Sequence, residues 1–226
     1  MDGFFITGTD TGVGKTWASI GLLELFNQQG LTTIAMKPVA SGCEQTPEGL
    51  RNDDAQLLIQ VMTAEASYDE VNPYAYAPAI APHLAALKVG ETIDLDKIIK
   101  QANKLSSRAD RIVIEGAGGW LVPLNSGKTF ADLAVALNLP VVLVVAIRLG
   151  CINHALLSVE SIKQRGLTIA GWIANTGTRG VEDCGDIDAN IKTLSDRIHA
   201  PLLGVLPLLK LDATNIANQI TISPTD

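Results

Sequence analysis

The nine residues Gly8 to Thr16, GTDTGVGKT, constrain this chain more than any other stretch of it. They follow a short apolar run, Phe4 to Thr7, that reads as a buried strand. They lead into an apolar-periodic helix over about Lys15 to Gln29, closed by Gly30. A glycine-rich loop at such a junction turns backbone N–H groups and the positive end of a helix dipole toward one point, which suits a phosphate. In that setting Lys15 reaches the β- and γ-phosphates of a nucleotide, and the Thr16 hydroxyl is available to Mg2+. The spacing departs from the common form, because Gly8 and Gly14 enclose five residues and Thr9 stands at the usual place of the first glycine. Gly12 and Gly14 also supply the G-x-G of a dinucleotide fingerprint. Trp17, however, stands where that fingerprint needs a small residue, and Lys15 favours a terminal triphosphate.

The rest of the chain repeats the strand-then-helix order. Thr32 to Lys37, Arg111 to Glu115, Pro140 to Ala146, Thr168 to Ala174 and Leu203 to Leu206 read as strands. Helices are expected from about Asp53, over 94–106, after Thr129, over Asn153 to Arg165, and up to about His199. The segment after Lys37, with Pro38, Gly42, Pro47 and Gly49, reads as a loop. Residues 68–92, punctuated by Pro73, Pro78 and Pro82, read as irregular. Alternation of this kind implies an α/β fold: a central, mostly parallel sheet with helices on both faces, here of the P-loop nucleotide-binding kind. No repeat or linker divides the chain, so residues 1–226 are expected to form one domain.

Composition narrows the function. A formal net charge of -7 repels a phosphate backbone, so nucleic acid is not an expected partner, and any anion must be held by a local site. The longest apolar run, Val141 to Ile147, is too short to span a bilayer, so no membrane association is expected. Cys43, Cys151 and Cys184 fit neither a zinc pattern nor a disulfide framework, which suits a cytoplasmic protein. His83, His154 and His199 form no ligand spacing, and Trp120 and Trp172 read as packing residues.

Two carboxylates and a second lysine suit the phosphate loop. Glu115 ends the strand RIVIE and would project from the carboxyl edge of the sheet, where a buried carboxylate needs a cation. Asp54, in RNDDA at a helix start, suits a metal ligand and an N-cap equally. Lys37 ends the second strand in MKPVASG and would sit beside the phosphates opposite Lys15, or else in solvent at a loop start. Ser41 suits a substrate contact or a turn.

GTDTGVGKT, MKPVASG, RNDDA, EGAGGW, RLGCINHALL, GWIAN and PLLGVLP occur in the order in which the dethiobiotin synthetase family carries them, and the chain resembles that family from residue 6 to about 209. The long loop spacing is the family's own form. The resemblance implies a cyclo-ligase that joins CO2 to the two amines of 7,8-diaminopelargonic acid, with ATP becoming ADP and phosphate and with Mg2+ required, in a cytoplasmic homodimer. It implies that Lys15, Lys37 and Thr11 are catalytic and that Thr16, Asp54 and Glu115 hold the metal. It places the nucleotide on Gly12, Val13, Gly14, Lys15, Thr16 and Trp17, on Asp54, on Glu115, Gly116, Ala117 and Gly118, and on Asn175, Thr176, Pro207, Leu208 and Leu209. It places the substrate on Thr11 and Ser41 and, from the neighbouring subunit, on Gly150, Cys151 and Asn153. A nucleotide-switch ATPase of the partitioning type is the alternative. Such proteins carry an extra lysine early in the loop, where this chain has Thr9, Asp10 and Thr11.

Overall fold

The strands are apolar along their whole length, and that decides the architecture. GFFITG, VVLVVA and IAGWIAN are buried at every position, so both faces of the sheet must be covered. A computed structural model describes residues 1–178, 184–207 and 213–221. Its main sheet consists of β1 (Gly3–Gly8), β2 (Thr33–Met36), β7 (Arg111–Glu115), β8 (Val141–Ala146), β9 (Ile169–Asn175) and β10 (Leu202–Leu206). The order is β10-β9-β8-β1-β7-β2, and every pairing in it is parallel. From β1 the chain crosses to β2 at one edge, returns through β7 beside β1, and then winds outward through β8, β9 and β10 on the other side; the change of direction puts the carboxyl end of β1 at the crevice where open α/β sheets bind ligands.

Side chains alternate between the two faces with the period of a strand. Phe4 and Ile6, with Ala35, Val113, Val142 and Val144, belong to one apolar cluster, built with residues of α1 (Lys15–Gln28), α2 (Asp53–Val61) and α9 (Ala213–Ala217). Phe5, with Ile34, Ile112, Ile114, Leu143 and Val145, belongs to the other. That cluster is completed by α5 (Leu95–Ser106), α6 (Phe130–Leu137), α7 (Cys151–Gln164) and α8 (Ile187–Arg197). The six strands expected from the sequence are the six of this sheet. Among the described residues no helix is long and apolar enough to cross a membrane.

Three expectations need correction. The loop expected after Lys37 holds three short strands, β3 (Val39–Ser41), β4 (Glu44–Thr46) and β5 (Gly49–Arg51). The stretch expected to be irregular holds α3 (Tyr68–Val71), β6 (Tyr74–Tyr76) and α4 (Pro82–Lys88). β3 pairs with β6 and β4 with β5, and runs of three residues are too short to display alternation. The start of α3 was written in the sequence as Ser67-x-x-Glu70, a capping box in which both reciprocal bonds form. α7 begins at Cys151, two positions before the expected start, because Gly150 takes a left-handed conformation (φ 90°) that lets the chain turn straight into the helix.

The α1–α9 contact depends on a missing side chain. A Cβ at Gly21 would lie 2.5 Å from both Ile216 and Ile220. Gly21→Val should overpack this contact and lower stability by about 1–3 kcal/mol, read as a fall in the urea midpoint. An unchanged midpoint would show that α9 yields without cost.

Candidate active site

The carboxyl end of β1 opens into a cavity of about 800 Å³. The phosphate loop forms its floor. Gly12 (φ 71°) and Gly14 (φ 92°) take left-handed conformations, which lets the loop curl back over the start of α1. Gly14 has a second reason to be glycine, since a Cβ there would stand 2.0 Å from Nδ2 of Asn175. That amide donates to the Val13 carbonyl (2.9 Å), and its oxygen accepts from the Gly177 N–H (2.8 Å). Asn175 thus braces the loop from the end of β9. On the opposite side Arg148 reaches the Asp10 carboxylate at 2.6 Å, and Asp10 in turn accepts from the Thr11 N–H.

Lys15 is 6% exposed, and its ammonium donates to the Asp10 carbonyl at 3.0 Å. Burial, and then the charge of Lys37, bring its pKa down to about 8. Lys37 is held through its backbone: its N–H donates to the Val71 carbonyl, and its carbonyl accepts from Asn72 Nδ2. Asn72 Oδ1 accepts from the Tyr68 hydroxyl, which itself accepts from the N–H of Asn52, the N-cap of α2. One partly buried chain of hydrogen bonds therefore ties the end of the second strand to the helix start that carries Asp54.

The Lys37 ammonium lies between two carboxylates, bonded to Asp54 at 2.9 Å and to Glu115. Burial disfavours its charge, but Glu115 and Asp54 outweigh burial and hold the ammonium well above the usual lysine range. Burial likewise opposes the charge on Asp54, and Lys37 overcomes it, so the Asp54 carboxyl stays below its ordinary value. Asn52, not Asp54, caps α2, which leaves Asp54 free for this contact. Glu115 is fully buried: Oε1 accepts from Thr16 (3.0 Å) as well as Lys37, and Oε2 has no partner. That orphaned oxygen, with the Thr16 hydroxyl and the half-exposed Asp54, is a set of hard oxygen donors. No group of three or more His, Cys, Asp or Glu side chains converges among the described residues. A cation here would complete its shell with water or phosphate oxygens, as Mg2+ commonly does.

The cavity gathers most of the expected residues. Thr11, Gly12, Gly14, Lys15, Thr16, Trp17, Lys37, Ser41, Asp54, Glu115, Ala117, Gly118 and Asn175 line it. The Ser41 hydroxyl is buried without a partner, so it is free for a ligand. Val13 and Gly116 lie just beneath the lining; the Gly116 N–H donates to the Ile6 carbonyl. Thr176 closes onto Leu206 through its N–H and hydroxyl, next to Pro207. Leu208 and Leu209 lie outside the described residues. Gly150 and Asn153 are on the surface and Cys151 is buried in the core, so these three do not line this cavity. Sequence reading missed the wall formed by Ala79 to Pro82, and it missed Thr178, whose hydroxyl is buried and unpartnered. The only local signal for that wall was the proline pair Pro78 and Pro82.

Both side chains of the Lys37–Glu115 pair are buried, so Lys37→Met should strand a buried carboxylate and cost about 3–5 kcal/mol. Adding Glu115→Gln should return part of that loss in urea unfolding. A Lys37→Met protein as stable as its parent would show that Glu115 is satisfied by other means. For Lys15, the free protein loses the charge as pH rises through about 8. A bound triphosphate favours the charged form, so binding should take up a proton above that pH and weaken as pH climbs toward 10. Calorimetry in two buffers of different ionisation enthalpy measures this, and an affinity flat from pH 7 to 9.5 would refute it.

Comparison with known proteins agrees with this geometry. A family model described as an AAA domain matches residues 2–214. The ATP-dependent dethiobiotin synthetase BioD of Marinobacter nauticus is 50% identical over 208 residues, covering 92% of this chain and 88% of the relative. Its counterpart in Chromohalobacter salexigens is 50% identical over 215 residues, covering 92% and 91%. Among solved structures, the cell division ATPase MinD of Pyrococcus furiosus superposes with a TM-score of 0.57, covering 97% of this chain and 89% of that one. At 17% identity that likeness shows the fold alone. With half of its residues shared over nearly its whole length, the chain belongs to the dethiobiotin synthetase family.

Proposed function

We propose that this protein is the ATP-dependent cyclo-ligase that makes dethiobiotin from 7,8-diaminopelargonic acid and CO2, releasing ADP and phosphate. The observation that carries the reading is the convergence of Lys15, Lys37, Thr16 and Glu115 on one cavity at the phosphate loop, in a chain half identical to dethiobiotin synthetases.

The chemistry asks for what this cavity offers. One amine of the substrate adds to CO2 and loses a proton, giving a carbamate. A carbamate oxygen then attacks the γ-phosphorus as the bond to ADP breaks, forming a carbamic–phosphoric anhydride. The second amine attacks the carbamate carbon, phosphate leaves, and the urea ring closes. In the middle step one anion approaches another, so the barrier is largely electrostatic. Lys15 and Lys37 supply positive charge from two sides of the transferring group. Loop N–H groups donate to the phosphate oxygens without reorganising. The unpartnered hydroxyls of Ser41 and Thr178 are available to orient bound molecules. Thr16, Asp54 and Glu115 would hold Mg2+, which supplies Lewis-acid stabilisation of charge on the phosphates when bound. Gly150 and Asn153 are exposed and outside this cavity, which accords with a homodimer in which they serve the neighbouring subunit's substrate.

ADP release should require the diamine and bicarbonate, with an equal amount of dethiobiotin formed. Lys15→Ala should lower the rate by about 10²–10³, as for loss of a charge-stabilising donor. ATP turnover indifferent to the diamine would leave a nucleotide-binding protein of another activity.

A further inference from the structure

We infer that Trp17 is the platform on which the nucleobase stacks, so that this chain holds the base by its face. The inference rests on the nucleotide reading of the cavity and names how the base is held there.

Trp17 is the only exposed aromatic ring among the described residues. It is 37% exposed, while Trp120 and Trp172 are 3% and 0%. It is the third residue of α1, immediately after the phosphate-loop threonine, and it lines the cavity. Its side chain makes no hydrogen bond, ring contact or cation contact with the described residues. An indole that could bury a large apolar area is thus left against solvent at the mouth of a binding cleft.

The helix fixes which way it faces. Residues four apart lie on one side of a helix, and Gly21 is the position at which α1 meets Ile216 of α9 and Ile220 just beyond it. Trp17 therefore sits one turn above the α9 contact. The ion-paired groups lie elsewhere: Thr16, one residue before and about 100° around the helix, is bonded to Glu115. Gly14, three residues before Trp17 and so on the same side of the helix start, lies against Asn175, and Asn175, Gly177 and Thr178 line the same cavity. A nucleotide whose terminal phosphates lie at Lys15 and the carboxylates extends its sugar and base away from them, toward that side.

Stacking can act beside any contact to the base edge. The Asn175 amide donates once to Val13 and accepts once from Gly177, which leaves it a second N–H and a second lone pair. Stacking needs no such donors, and every base has a π-face to offer.

The test is calorimetric titration of the intact protein, and of Trp17→Val and Trp17→Phe, with Mg-ADP, Mg-GDP and inorganic tripolyphosphate. Trp17→Val should weaken both nucleotides by about 5- to 100-fold and leave tripolyphosphate, which has no base, unchanged. Trp17→Phe should recover most of the loss. Indole emission should respond to ADP in the parent and not to tripolyphosphate. Equal ADP affinity in the parent and Trp17→Val, or an equal loss for ADP and tripolyphosphate, would overturn the stacking role. A parent protein that binds neither ligand would overturn the nucleotide reading beneath it.

Discussion

A lysine ammonium wedged between two carboxylates organises this molecule's functional end. Glu115 is carried to the edge of a strand buried on both faces, where an unpaired negative charge would be costly. Lys37 arrives from the neighbouring strand and neutralises it, and Asp54 shares the same ammonium from the start of α2. The pair is demanding because both partners are buried. That demand explains why the backbone of Lys37 is pinned by Val71 and Asn72, and why Asn72 connects through Tyr68 to the cap of α2. The short β3–β6 pairing and the α3 capping box hold those anchors in place.

Around this ion pair the charges are arranged to be reactive rather than restful. Lys15 is buried close enough to Lys37 that each ammonium destabilises the other, and only Lys37 has carboxylates in hydrogen-bond reach. Lys15 makes do with a carbonyl, that of Asp10. A site in which one lysine is over-compensated and the other under-compensated is ready for an anion beside the second. Glu115 mirrors this: one oxygen accepts two donors while the other, equally buried, accepts none. Unsatisfied potential of both signs within one cavity is costly to the free protein, and a phosphate-bound cation relieves both at once.

The main sheet was legible in the sequence because its strands are continuous apolar runs, and continuous runs report burial on both faces without reference to distant residues. The phosphate loop was legible for a related reason, since its glycines answer to backbone geometry in one short segment. Asp54 was not resolved by spacing, because three consecutive polar residues, Asn52, Asp53 and Asp54, all suit a helix cap. Only the three-dimensional arrangement shows that Asn52 takes the cap and releases Asp54 toward Lys37. The stretches 39–51 and 68–88, on either side of the helix expected from about Asp53, were misread for a related reason. Their strands are three residues long: β3 depends on β6, some thirty-five residues away, and the local β4–β5 pair is too short to display alternation.

Asn175 shows how a role implied by resemblance can be carried out indirectly. The residue stands where a base contact is implied, and its amide also bonds the Val13 carbonyl and the Gly177 N–H. Its closeness is also what forbids a side chain at Gly14. The end of β9 thereby sets the curvature of the phosphate loop, and the two ends of the cavity are mechanically joined through one side chain. Recognition of the base and placement of the phosphates then share a rigid support. An aromatic face at Trp17 adds affinity without asking that support to move. The division follows from the fold: charge gathers where β1, β7 and β2 end, and apolar contact is left to the helix that starts there.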